Sequence, residues 1–570
     1  RAQRAARHHP HTGSDAHGRL SAVRVGLGFL FGTACDYVTN DYYRKPCDQA
    51  VEAASDFTCA LEINIPTGKD SLSMTQKYPG GELVYAPGTV IISAVAEIED
   101  VKKIITPVLK ADKDTVIVYV DFSSDTFKLG GSCYAQINNV LGNDTPTVVD
   151  TAYFRKAFNG IQQLIREEKI LAGHDISAGG MITALLEMCF AETNISLDVD
   201  LSMFAESKIE NILFAENPGV LIQLENNKEV FNRLRELGIA FTKIAKVSTE
   251  DTQEVRLIHN SKTYTFDIDY YRNVWFETSY LLDCKQSGED KAKERFDSIK
   301  KNVLHFTFPY LFTGEMDTCN RKANAAILRE QGTNGDREMA YALYKAGFNV
   351  KDVHISDLIE GREDLKDISF LVFPGGFANS DVLGSAKGWA GAFIYNAKAN
   401  KVLKDFYERD NTLSLGVCNG CQLMVELGLL YPSHKESPQM KHNDTHKFES
   451  GFVNVNILPT NAVMLSGLEN SSLGIWIAHG EGKFHFPYAE ENYSIPMKYT
   501  YASYPGNPNG SKYDAAAICS EDGRHLAMMP HLERAVFPWQ WAHYPDDRKS
   551  DAVTPWMLAF INARKWIENN

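Results

Sequence analysis

At 570 residues with 44% hydrophobic content, the chain can bury several cores, and its length predicts three or four domains. A formal charge of −15 argues against a nucleic-acid-binding surface as its main function. No apolar run approaches the roughly 20 residues of a membrane span, and ten cysteines without a regular framework read as reduced thiols, so a soluble cytoplasmic protein is expected.

Arg1 to Arg44 hold arginines and the histidines His8, His9, His11 and His17, with no lysine before Lys45 and no initiating methionine. A transit peptide or a metal-binding tract shares that bias, but a truncated or misread start is the preferred reading, and residues 1–50 are assigned no function. From Val51 the chain becomes regular. Leu61-Glu-Ile-Asn-Ile-Pro-Thr-Gly-Lys-Asp-Ser-Leu-Ser-Met74 places Lys69 and Ser71 at the end of an alternating strand, a layout suited to holding a phosphate. Strands are expected at Val90–Glu97, Thr115–Phe122, Val220–Glu225 and Phe241–Val247. Helices are expected from about Phe154 to Leu171, through Met188, and from Glu229 to Gly238. That order predicts α/β or α+β sandwich layers over 51–110 and 111–282. The polar, charged stretch 283–322 reads as a linker.

A second α/β unit spans 323–570. Strand Ala323–Arg329, a helix Arg337–Gly347 capped by Gly347, strand Ile368–Phe373, a long helix Trp389–Arg409 and the strand entering Cys418 give a doubly wound pattern, with functional residues at the carboxyl ends of strands. In Leu413-Ser-Leu-Gly-Val-Cys-Asn-Gly-Cys-Gln422, an apolar run feeds a glycine-flanked cysteine. Gly416 and Gly420 would let the backbone fold tightly around Cys418, and the helix beginning under the sulfur would favour thiolate. Met528-Met-Pro-His-Leu-Glu-Arg534 supplies a base, His531, and a carboxylate, Glu533, two residues apart. In an extended segment both would face one way, outlining a Cys-His-Glu triad. Gly375 and Gly376, ending the Leu371–Phe373 strand, would offer N–H groups that join that of Asn419 in an oxyanion hole. Cys418 and Cys421 also spell C-x-x-C, a redox or zinc half-site pattern, but no second copy exists.

The elbow resembles that of the class I (triad) glutamine amidotransferases, G-x-C-x-G-x-Q, filled here by Gly416, Cys418, Gly420 and Gln422. The resemblance implies attack of Cys418 on the carboxamide of glutamine, proton transfer by His531, a glutamyl thioester, and a glutamine-binding place for Gln422. It extends upstream. Ile65–Met74, His174-Asp-Ile-Ser-Ala-Gly-Gly180, Leu328–Gly332, Gly375–Gly384, His479-Gly-Glu-Gly482 and Pro530–Arg534 together are similar to the large single-chain phosphoribosylformylglycinamidine synthase family.

That resemblance implies truncated synthetase-type α/β sandwich domains (51–110 and 111–282) followed by a flavodoxin-like amidotransferase domain. It also implies ATP, glutamine and formylglycinamide ribonucleotide as substrates, and internal passage of ammonia. By position, Asp175 would be a magnesium ligand and Ser177 a nucleotide contact, while Lys69 and Ser71 are weaker candidates for the substrate phosphate. Where the family often has Arg and a second Asp, this chain has Ile176 and Ala178. Without the resemblance, Asp175 reads as a helix N-cap. The family carries two synthetase halves, of which this chain would hold the tail of the second, so a C-terminal fragment is expected, with the first half a missing partner. The rival reading is an amidotransferase subunit or domain of another ammonia-using synthetase; no P-loop pattern supports it.

Overall fold

The computed structural model describes residues 28–31, 41–69, 75–85, 90–98, 100–191, 195–248, 252–317 and 323–570. They divide into two compact units between Asn273 and Val274. The expectations placed on residues 1–27, on Ser71 and on the Lys69 side chain lie outside the described residues.

The first unit holds a seven-stranded sheet of β1 (Thr115–Asp121), β2 (Ala172–Asp175), β3 (Ser196–Asp200), β4 (Gly219–Glu225), β5 (Thr242–Ser248), β6 (Glu254–His259) and β7 (Lys262–Asp267). Their order is β7-β6-β3-β5-β1-β4-β2. Central β1 is apolar on both faces because both are covered. Val116, Val118 and Val120 pack on Ala157, Ile161 and Leu164 of the helix Thr151–Arg166 and on Val230 and Leu234 of the helix Lys228–Glu236. Ile117 and Tyr119 pack on Met181, Leu185 and Met188 of the helix Gly180–Phe190.

Three expectations here need correction. The helix expected to reach Leu171 ends at Arg166, since Glu168 turns to φ 57° and β2 begins at Ala172. Among the described residues of the expected strand 61–74, the strand is Thr67–Lys69, after a helix Asp41–Ala60. The expected strand Val90–Glu97 stops at Ser93.

The presumed linker is helical in its first part, with helices Ile268–Ser287 and Glu289–Ser298. Its charged composition reflects a solvated helix supported by Lys291–Glu294 at 2.8 Å and Lys293–Asp297 at 2.6 Å. Within the second unit, Asp283 pairs with Lys447 at 2.7 Å and Arg295 with Glu449 at 3.0 Å, so this stretch is fastened to the body that follows it.

The second unit is built on a nine-stranded sheet of β8 (Ala323–Arg329), β9 (Phe348–His354), β10 (Phe370–Phe373), β11 (Leu413–Val417), β12 (Glu449–Ile457), β13 (Ser472–His479), β14 (Ser494–Tyr499), β15 (Ala515–Cys519) and β16 (His525–Met528). The order is β9-β8-β10-β11-β16-β15-β14-β12-β13. The first five are parallel, as a doubly wound pattern requires, and the others extend the sheet antiparallel. Every residue of β10 and β11 is buried. The helix expected over 389–409 is two, Lys387–Ile394 and Ala397–Tyr407, because the Asn396 side chain caps the second by accepting from the Ala399 N–H at 3.0 Å. Gly347, at φ 99°, does close the helix Asp336–Ala346.

Candidate active site

β11 delivers Cys418 to a sharp turn at φ 52° and ψ −107°, immediately before the helix Asn419–Glu426. A non-glycine residue in this left-handed region is strained by about 1–3 kcal/mol, a cost structures bear where an atom must be aimed. The neighbouring glycines serve closeness of approach. A Cβ on Gly416 would lie 2.6 Å from the Gly420 carbonyl oxygen and from Met424 Sδ, and one on Gly420 would overlap the Phe373 carbonyl. The turn is held by the Cys418 N–H donating to Met528 O at 2.9 Å, and the buried thiol donates to Ala478 O at 3.4 Å. Cys421 is fully buried, and burial pushes its thiol well above the usual range, so the first cysteine is the one placed for chemistry.

His531 and Glu533 meet, though not on an extended segment. His531 is pinned by its N–H to Trp476 O at 2.8 Å, and the chain then enters a 3-10 turn, Leu532–Arg534, that swings Glu533 back. The ring Nδ1 and Glu533 Oε1 are 2.7 Å apart with both residues almost completely buried. Burial opposes a charge on His531, but the Glu533 carboxylate and the adjoining Cys418 outweigh it and raise the pKa to about 10. Nε2 is buried without a hydrogen-bond partner of its own. Gly375 abuts both side chains: a Cβ there would lie 2.8 Å from His531 Cε1 and 3.3 Å from Cys418 Cβ. The triad and Gly375 thus converge from three strand ends.

Gly376, at φ 132°, interlocks with the preceding loop, where the Phe377 N–H donates to Gly332 O at 2.9 Å and the Asn334 N–H to Gly375 O at 3.0 Å. The side chains of Asn419 and Gln422 are engaged within the protein. Asn419 Oδ1 accepts from the Ala378 N–H at 3.0 Å, and its Nδ2 donates to Gln422 Oε1 at 2.9 Å and Asp381 Oδ1 at 3.2 Å. Gln422 Nε2 donates to Glu481 O at 2.8 Å. Asp381 was missed in the sequence reading. It closes a run of three left-handed residues, Asn379, Ser380 and Asp381, and burial raises its carboxyl pKa. Also outside the expected triad, His479 is fully buried near His531, and burial lowers its pKa to about 3.

The first unit presents a different picture. Asp175 ends β2 with its carboxylate exposed, beside His174, whose Nε2 lies 2.9 Å from Glu187. Ser177 is exposed on the following loop. Among the described residues no group of three His, Cys, Asp or Glu side chains is arranged to hold a metal. Magnesium prefers six oxygen ligands, so these residues do not by themselves make its site. Glu216, unforeseen, accepts from the Cys133 and Gly179 N–H groups at 2.8 and 2.9 Å, tying two glycine-rich loops together.

A strained cysteine elbow on a doubly wound sheet with a buried His–Glu pair fits a glutamine amidotransferase class of domain. Residues 322–567 match a CobB/CobQ-like glutamine amidotransferase domain, and residues 116–258 match the AIR synthase related protein C-terminal domain. The chain is 38% identical over 96% of its length to the probable chloroplastic/mitochondrial phosphoribosylformylglycinamidine synthase of Arabidopsis thaliana. It is 37% identical over 89% of its length to the probable phosphoribosylformylglycinamidine synthase of Caenorhabditis elegans and 36% over 91% to the phosphoribosylformylglycinamidine synthase of Homo sapiens. It covers 40%, 42% and 41% of these relatives, about two fifths of their length. The resemblance read from the motifs is borne out: across both units the chain is related to the phosphoribosylformylglycinamidine synthases. No helix among the described residues is long and apolar enough to cross a membrane.

Proposed function

We propose that the second unit hydrolyses glutamine at Cys418, His531 and Glu533. The observation that carries this reading is the buried 2.7 Å His531–Glu533 pair set against a cysteine on a strained elbow. Cys418 Sγ attacks the carboxamide carbon, and a C–S bond forms as the C–N bond breaks. His531 passes the thiol proton to the leaving nitrogen, giving ammonia and a γ-glutamyl thioester. It then takes a proton from water, whose oxygen attacks the thioester carbon; the C–S bond breaks, the proton returns to Sγ, and glutamate leaves. Glu533 fixes the ring so that Nε2 faces the sulfur. The oxyanion of each tetrahedral intermediate would be met by backbone N–H groups of Gly375, Gly376 and Asn419. The side chains of Asn419 and Gln422 brace this backbone.

We further propose that the ammonia serves phosphoribosylformylglycinamidine synthesis. In this ATP-dependent ligase reaction, the amide oxygen of formylglycinamide ribonucleotide is phosphorylated and then displaced by ammonia. Asp175 and Ser177 would supply one magnesium ligand and one nucleotide contact to a site that needs further oxygen ligands; Lys69 and Ser71 would meet the substrate phosphate. The seven described cysteines are free, which suits a reducing compartment, and the cytoplasm is our proposed location. The test is mass spectrometry of the chain quenched during glutamine turnover. A glutamyl adduct on the peptide carrying Cys418, with glutamate and ammonia released in equal amounts, is expected. An adduct on Cys421, or no glutamate, overturns the reading.

A further inference from the structure

The turn His479–Gly482, which follows β13, has no part in the chemistry above, yet it touches the nucleophile elbow at two points. Ala478 O, at its start, accepts the Cys418 thiol hydrogen at 3.4 Å, and Glu481 O accepts from Gln422 Nε2 at 2.8 Å. Main-chain carbonyls are usable for this purpose when the turn itself is held still. The hold comes from Asn443, a fully buried residue on a separate segment. Its N–H donates to Gly480 O at 2.9 Å, its Nδ2 to His479 O at 2.8 Å, and its Oδ1 accepts from the Gly482 N–H at 2.9 Å. A further bond from Nδ2 to Lys447 O at 3.0 Å closes the segment on itself. One side chain and its own backbone thus pair with three of the four residues of the turn.

The turn has little slack of its own. A Cβ on Gly482 would strike the His479 imidazole, and that ring is packed with Nε2 3.4 Å from the Asn509 amide. Ser511 adds a bond to Gly482 O at 3.4 Å. Backbone groups buried without partners are costly, so removing the Asn443 amide forces the turn to move, and with it the carbonyls that locate Sγ and Gln422.

We propose that Asn443 is a positioning residue for glutamine hydrolysis, setting the nucleophile through the 478–482 backbone. The inference rests on the glutaminase reading. Misplacement of a reacting atom by an ångström costs about a hundredfold, and a transmitted, smaller displacement should cost about tenfold. The experiment compares the full chain with Asn443→Ala and the milder Asn443→Ser. Competent sites are counted by labelling Cys418 with an electrophilic glutamine analogue, and kcat and KM are expressed per labelled site. The expected result is a kcat per labelled site lowered about tenfold in Asn443→Ala and less in Asn443→Ser, with the smaller share of the loss in KM. A merely structural role would lower the number of labelled sites and leave kcat per site untouched; that outcome in either variant overturns the proposal. Should the unmodified chain neither label at Cys418 nor release glutamate, the glutaminase reading fails, and this inference with it.

Discussion

The centre at Cys418 and the loop at Asp175 occupy equivalent positions, each at the carboxyl end of a strand in an open sheet, yet their surroundings are opposite. His531 and Glu533 are 3% and 1% exposed in their side chains, whereas that of Asp175 is 73% exposed. The second unit brings Cys418, His531, Glu533 and the Gly375 loop together from its own strands, and burial there strengthens each electrostatic contact. At its loop the first unit offers the Asp175 carboxylate and the Ser177 hydroxyl, both open to solvent. Covalent catalysis by a thiol needs a few groups held rigidly in a dry place, which one folded unit can supply. Phosphoryl transfer needs several oxygen ligands around a cation, and an exposed aspartate is one of those at most.

The contrast breaks most sharply at Cys418. Cys418→Ala should lower glutamine hydrolysis by at least about a thousandfold, measured as glutamate released, while Cys421→Ala should keep most of it. A surviving activity in the first variant would remove the distinction between the two regions. Next in size, His531→Ala should cost about 10²- to 10⁴-fold and Glu533→Ala less, because one moves the proton and the other orients the ring. Rates are to be compared at matched circular dichroism, and a histidine variant as active as the unmodified chain would dismantle the triad.

Rigidity of the elbow can be tested apart from its chemistry. Gly420→Ala forces the new methyl into the Phe373 carbonyl and should lower stability by about 1–3 kcal/mol in denaturant unfolding. An unchanged midpoint would show that the elbow is looser than its contacts imply.

Burial should also show itself as pH dependence. His525, buried with Nδ1 3.0 Å from Ser414 Oγ, has its pKa lowered to about 4, mainly by burial. The unfolded chain therefore binds a proton between pH 6.5 and 4 that the folded chain does not. Its contribution is present above pH 6.5 and is lost as pH falls toward 4, by roughly 3 kcal/mol. His479 acts in the same direction, down to about pH 3. His531, raised to about 10, acts oppositely: its contribution is full below pH 6.5 and fades as pH rises through 10. His525→Asn should flatten the acid limb of unfolding stability against pH, and an unaltered slope would mean that the folded ring takes up the proton. The smallest effect belongs to the exposed loop. Asp175→Asn should leave glutamine hydrolysis by this chain unchanged and, in a protein that also carries the remaining synthetase part, reduce ATP-dependent synthesis, so a loss of glutaminase in this variant would show that the two regions are not independent.

Much of the second unit was legible in the chain. The elbow declared itself because strand, glycine, cysteine, glycine and helix follow one another within ten residues, and local sterics allow such a sequence few conformations. The His531–Glu533 pair was legible in identity but not in geometry; the bond forms across a 3-10 turn whose cause, the Trp476 carbonyl, lies 55 residues upstream. The stretch around Asp283 and Arg295 was misjudged because its helices are stabilised by ion pairs with Lys447 and Glu449, which composition alone renders as a solvated linker.

The sequence by itself determined which residues are proposed for the chemistry, since a glycine-flanked cysteine after a strand and a His-x-Glu turn are local patterns whose spacing limits what they can be. Tertiary structure alone decided which supporting groups hold them: the Ala478 carbonyl at the thiol, Asn443 beneath the 478–482 turn, and the Asn419–Asp381 bond. These contacts join positions 60, 36 and 38 residues apart. The Asn419–Asp381 bond follows from β10 and β11 lying side by side, whereas Ala478 lies near the end of the edge strand β13 and Asn443 sits on a loop, so burial of the whole core brings these groups together and no local pattern encodes it.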